Sequence, residues 1–74
     1  MKAIFLGQDS MGFVHGQTYD LTSNIKQVHV GGYIFGEEKT CICLYDRNSR
    51  AWCPYSSLEK IFENWRFIDI YPVQ

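Results

Sequence analysis

The sequence predicts a mainly β domain: a small, strongly bent antiparallel sheet or barrel of five to six short strands, with one short helix near residues 57–64. Three observations carry this. Short β-prone runs alternate between apolar and polar residues, the period of a half-buried strand. Gly, Asn, Asp and Ser clusters punctuate those runs at close intervals. One late segment, residues 52–65, switches to helical spacing, with Leu58, Ile61, Phe62 and Trp65 at i, i+3, i+4 and i+7.

Lys2 to Leu6 reads as the first strand, and Gly7-Gln8-Asp9-Ser10 as a turn. Tyr19 and Leu21 alternate with Thr18 and Asp20 in a second strand, with a break expected at Thr22-Ser23-Asn24. Lys26 to Phe35 is a further strand, bulged or bent at Gly31-Gly32. Gly36-Glu37-Glu38-Lys39 reads as a polar hairpin loop and Thr40 to Tyr45 as the next strand. In the turn at residues 46–50 no glycine is available, so Asn48 is the candidate for a left-handed conformation. Ala51 to Tyr55 returns as a strand that Pro54 restricts to an edge or an end, because proline has no N–H to donate. Ser56 and Glu59 have the spacing of a capping box at the helix start. Phe67, Ile68 and Ile70 form a last short strand ended by Pro72.

Size and composition narrow the function. Seventy-four residues make one domain, 1–74, and a chain this short hides only roughly 60% of its unfolded surface. With 46% hydrophobic and 16% aromatic residues, a compact core forms without metal or disulfide. Little volume remains for a deep catalytic cleft, and the expectation is that the protein is not an enzyme. The formal net charge of −1 lacks the basic excess of a duplex-binding domain. No apolar run reaches the roughly 20 residues needed to cross a bilayer, and no signal peptide is visible. Three cysteines do not complete a disulfide framework, so reduced thiols and a cytoplasmic location are expected.

Two segments resemble small SH3-like barrel proteins encoded by phages and prophages. One is Gly12-Phe-Val-His-Gly-Gln-Thr-Tyr-Asp-Leu21, similar to a Gly-hydrophobic-basic-Gly-polar-polar-Tyr-acidic-hydrophobic pattern near the start of those proteins. The other is residues 52–65, similar to their late part. The resemblance covers about a third of the chain and implies an SH3-like barrel of phage-related origin, with no activity attached. His15 occupies the basic position of the first pattern, which questions any role for a fixed charge there.

Chemistry-bearing residues are sparse. Cys41, Cys43 and Cys53 with His15 or His29 could in composition furnish a zinc site, but paired ligand spacing is absent and free cysteines are commonly packed. No metal or cofactor is therefore expected. Cys43 or Cys53 with His29 and Asp46 lacks any spacing that enforces contact, and no phosphate-binding glycine loop precedes a helix. Aromatics remain. Phe62 and Trp65 are assigned to packing of the helix on the sheet. Tyr33, Phe35, Tyr45, Trp52 and Tyr55, with Arg47 and Arg50 in the adjacent turn, form the candidate partner-binding surface, a composition common at interface hot spots.

The leading expectation is a non-catalytic protein-interaction module, a phage accessory protein acting on a host or phage protein. The alternative is a single-stranded nucleic-acid or nucleotide binder, which would gather Lys26, Lys39, Arg47, Arg50 and Arg66 on one face beside tyrosines. The sequence sets neither partner identity nor oligomeric state.

Overall fold

A computed structural model describes residues 1–31 and 36–69, apart from the side chain of Val30. Five strands and a helix follow in the order β1 (Lys2–Phe5), β2 (Thr18–Val30), β3 (Glu37–Asp46), β4 (Trp52–Tyr55), α1 (Leu58–Asn64) and β5 (Trp65–Phe67). They form one antiparallel sheet in the spatial order β4-β3-β2-β1-β5. The sheet is mainly β as expected, and it is open, with β4 and β5 at its two ends.

β2 is the spine. Its first residues pair with β1 (Lys2 opposite Asp20, Ile4 opposite Thr18), and from Leu21 onward it pairs with β3, down to Val30 opposite Glu37. The break expected at residues 22–24 does not occur: Thr22, Ser23 and Asn24 stay in the ladder opposite Tyr45, Leu44 and Cys43. Ladder hydrogen bonds to a strongly β-prone neighbour override the turn preference of these three side chains. The hairpin loop expected at residues 36–39 is likewise displaced, because Glu37, Glu38 and Lys39 are paired β3 residues. Gly31 directly follows β2 with φ 99°, a left-handed conformation open to glycine. The rest of the expected bend, Gly32, and the strand residues Tyr33 and Phe35 lie outside the described residues.

One face of the sheet carries the core. Ala3, Tyr19, Leu21, Leu44, Tyr55 and Trp65 share it by register, and Ile61 of α1 and Phe13 of the β1–β2 connection close over it. Phe13 is the anchor of that connection. Its ring packs 5.7 Å from Phe5, 5.0 Å from Tyr19 and 5.0 Å from Trp65, the last two edge-on. Around it the loop is held by polar bonds: the His15 N–H donates to Asp9 Oδ1 (2.8 Å) and the Val14 N–H to the Tyr19 hydroxyl (2.8 Å). His15 Nδ1 also lies 3.1 Å from the Gly7 carbonyl oxygen, so its ring ties the loop.

The helix begins one residue later than the capping-box spacing suggests. Ser57 is the N-cap, with extended backbone, and its Oγ accepts from the Lys60 N–H at 3.3 Å. Ser56 is exposed and outside the cap. The residue three after the true cap is Lys60, which has no acceptor to return the bond, so no capping box forms. The register is set by Tyr55, which stays in β4 opposite Ile42 and pushes the helix start downstream. At the far end Trp65 leaves helical geometry (φ −135°, ψ 139°) and opens β5.

Candidate functional site

α1 presents only part of its apolar stripe to the sheet. Ile61 is 2% exposed and Trp65, at the helix exit, also 2%, whereas Leu58 is 59% and Phe62 61% exposed. The assignment of Phe62 to core packing is therefore corrected. Seven residues are fewer than two full turns, so one side chain, Ile61, points straight down and its neighbours at −3 and +1 flank it. Phe62 keeps one aromatic neighbour, Phe67, met edge-on at 5.9 Å.

Beside Leu58 and Phe62 lies an apolar cleft of about 170 Å³. Ser23, Ile42 and Leu44 form its floor, Leu58, Ile61 and Phe62 its helical wall, and Met1 and Phe67 its end. Small-molecule sites run from roughly 300 Å³ upward and combine apolar walls with convergent polar groups. This cleft is smaller, and Ser23 is its one polar side chain. It suits an apolar side chain or two from another polypeptide.

The opposite face carries a second cluster. Tyr45 and Trp52 are cross-strand partners whose rings stack at 5.9 Å with 17° between planes. Trp52 thus lies away from the helix, on the other side of the sheet. Lys26 stands opposite Cys41, yet its ammonium sits 5.3 Å from the Tyr45 ring centre and 4.9 Å from that of Trp52. Hydrogen bonding by Tyr45 raises the Lys26 pKa above its ordinary value. Between Cys41 and Tyr45 on this face lies Cys43, which is fully buried although it lies outside the core cluster. Lys2, Lys39 and Arg66 share this face by register, and so do Asp20 and Glu37. Arg47 Nε pairs with Asp20 Oδ1 at 3.6 Å, and Lys39 with Glu37 at 3.3 Å.

The candidate partner residues therefore separate. Tyr45, Trp52 and the exposed Arg47 and Arg50 lie together at the β3–β4 end of the outer face or in the turn beside it. Tyr55 belongs to the core, 6% exposed, with its hydroxyl accepting from Trp65 Nε1 at 2.8 Å, and it leaves the surface set. Tyr33 and Phe35 lie outside the described residues. The turn itself is built by Asp46, not by a left-handed Asn48: Asp46 Oδ1 accepts from the Asn48 N–H (3.3 Å) and Oδ2 from the Ser49 hydroxyl (2.7 Å). Among described non-glycine residues only Met11 has positive φ, 52°.

The thiols divide between faces. Cys41 and Cys43 alternate on the outer face, while Cys53, opposite Leu44, faces the core, where burial pushes its thiol pKa up. Among the described residues no three His, Cys, Asp or Glu side chains are grouped to hold a metal ion. No helix among them is long and apolar enough to cross a membrane. The exposure of Leu58 and Phe62 is not legible in the sequence, because helical spacing gives a stripe but not its width of contact. No family model matches the chain, and no curated protein or solved structure matches it.

Proposed function

We propose that this protein is a non-catalytic protein-interaction module whose partner engages the apolar cleft beside α1. The observation that carries the reading is the exposure of Leu58 and Phe62 on the rim of a cleft walled by apolar groups. Large apolar side chains grouped on a surface mark interaction sites. The finer reading of the sheet is an SH3-like barrel of phage-related origin. The barrel part of that reading is supported by the pairing of terminal strands β1 and β5, by one long strand serving both halves of the sheet, and by a short helix just before the last strand. The phage origin rests on the sequence resemblance alone.

The test is capture of a partner protein from host lysate on immobilised protein, compared across variants. Phe62→Ser abolishes capture while the fold, followed by circular dichroism, is retained. The double variant Arg47→Ala with Arg50→Ala captures the partner as wild type does. The reverse pattern moves the interface to the outer face.

A single-stranded nucleic-acid binder remains the second reading, favoured by the Tyr45–Trp52 stack and the cations Lys2, Lys26, Lys39 and Arg66 on its face. Stacking a base there is worth about 1–3 kcal/mol. It requires quenching of Trp52 fluorescence by an oligothymidylate, with an affinity that falls as salt rises. Asp20 and Glu37 on the same face, each already paired with a cation, weigh against it.

A further inference from the structure

We infer that the outer edge of β2, at Ser23, Ile25 and Gln27, receives an extended peptide as an added antiparallel strand. This rests on the protein-interaction reading and names the form of the partner. Backbone groups of successive strand residues point alternately to the two neighbours. The Asp20 carbonyl accepts from Arg47 on the β3 side at 2.9 Å, and Leu21 exchanges bonds with Met1 on the β1 side at 2.6 and 3.0 Å. With the unbroken register that follows, Thr22, Asn24 and Lys26 bond to β3, and the N–H and C=O of Ser23, Ile25 and Gln27 point outward. The β1 ladder covers β2 only over Thr18–Asp20, so among the described residues no strand covers them.

The other edges are guarded and this one is not. Natural sheets blunt free edges with proline, charge or shortness. β4 carries Pro54 at a position facing away from β3, the uncovered part of β3 beyond β4 presents Glu38, and β5 has three residues. On β2 the outward groups belong to uncharged residues, and the Ile25 side chain is 69% exposed. Ile25 shares a sheet face with Ser23, and Ser23 and Met1 line the apolar cleft. A strand laid along this edge places every second side chain on the cleft side, toward Leu58 and Phe62. The occupant is therefore an extended segment with apolar residues at alternate positions.

A second copy of β2 fits the edge poorly. An antiparallel pair with Ile25 opposite Ile25 puts His29 of the other copy where Met1 already sits opposite Leu21. Shifting the two-fold by one residue sets Lys26 against Lys26, and like charges directly opposite are destabilising. A separate peptide can end beside Met1 without either conflict.

The probe is a synthetic, acetylated and amidated heptapeptide alternating threonine and valine, titrated into ¹⁵N-labelled protein. The amides of Ser23, Ile25 and Gln27 shift and gain exchange protection, while those of Asn24 and Lys26, already bonded to β3, move little. Ile25→Pro removes one outward N–H and weakens binding about tenfold or more, whereas Ile25→Thr, which keeps it, binds nearly as wild type. Should Ile25→Pro unfold, synthetic protein N-methylated at Ile25 serves the same purpose. No shift at millimolar peptide overturns the inference. Shifts confined to Leu58 and Phe62, lost in Phe62→Ser but indifferent to Ile25→Pro, also overturn it while leaving the cleft reading intact. A protein dimer dispersed by Ile25→Pro in sedimentation overturns it in favour of a second copy.

Discussion

The indole N–H of Trp65 donates to the Tyr55 hydroxyl across 2.8 Å inside the core, joining the end of β4 to the start of β5. These strands are the two ends of the open sheet, so the bond links edges that no ladder joins. Tyr55→Phe keeps the ring but strands a buried N–H, at about 1–3 kcal/mol. The expected outcome is a lower unfolding midpoint in denaturant with an unchanged slope.

The same hydroxyl gives a pH dependence. Burial pushes the Tyr55 pKa up, from 10.0 to about 12. The unfolded chain ionises first, so this contribution to stability is full below pH 10 and is lost as pH rises toward about 12. Wild type should lose stability across that window more steeply than Tyr55→Phe. Equal slopes for the two proteins would show that Tyr55 does not titrate late.

The helix cap makes a pair of comparisons. Ser57→Ala removes the acceptor of the Lys60 N–H and should cost about 0.5–2 kcal/mol. Ser56→Ala, at an exposed position outside the cap, should change stability little. Denaturant melts of the two variants decide the register directly.

Much of the fold was legible because apolar alternation fixes which face of a strand is buried. Tyr19 with Leu21 reads correctly on that basis. Trp65 does too, although it packs as a strand residue. Errors arose where a long-range ladder outweighed local chemistry. Ser23 and Asn24 look like a turn, yet pairing with β3 holds them extended. Glu37 to Lys39 look like a loop for the same local reason. At the site, Tyr45 and Trp52 belong to one candidate surface and stand together, while Tyr55 falls on the core face by register, 6% exposed and bonded to Trp65. Ile25 gives no signal, and the helical spacing that includes Phe62 does not show its exposure, because exposure depends on where a neighbouring element stops.

The outer-face thiols yield a further prediction. Cys43 is covered although it is outside the core, and it lies on the same face between Cys41, opposite Lys26, and Tyr45, whose ring the Lys26 ammonium reaches. Lys26→Ala should accelerate alkylation of Cys43 by iodoacetamide, measured by peptide mass spectrometry, while Cys41 changes less. Unaltered Cys43 labelling would mean that other groups cover it.

Finally, the tight approach at Gly12 separates two effects that a single substitution confounds. Gly12 has φ 90°, and a Cβ there would lie 2.8 Å from the Ala51 Cβ. Gly12→Ala thus meets backbone strain of roughly 1–2 kcal/mol and a steric clash of a further 1–3 kcal/mol. Ala51→Gly removes the opposing methyl. In the double variant the clash vanishes and the strain remains, so stability should recover only in part relative to the sum of the single changes. Met11, next to it at φ 52°, gives the complementary case: Met11→Gly relieves strain at an exposed side chain and should offset the entropy it adds to the unfolded chain. Thermal melts of the four proteins test this. Full recovery in the double variant would assign the whole cost to Ala51, and no recovery would assign it to the backbone at Gly12.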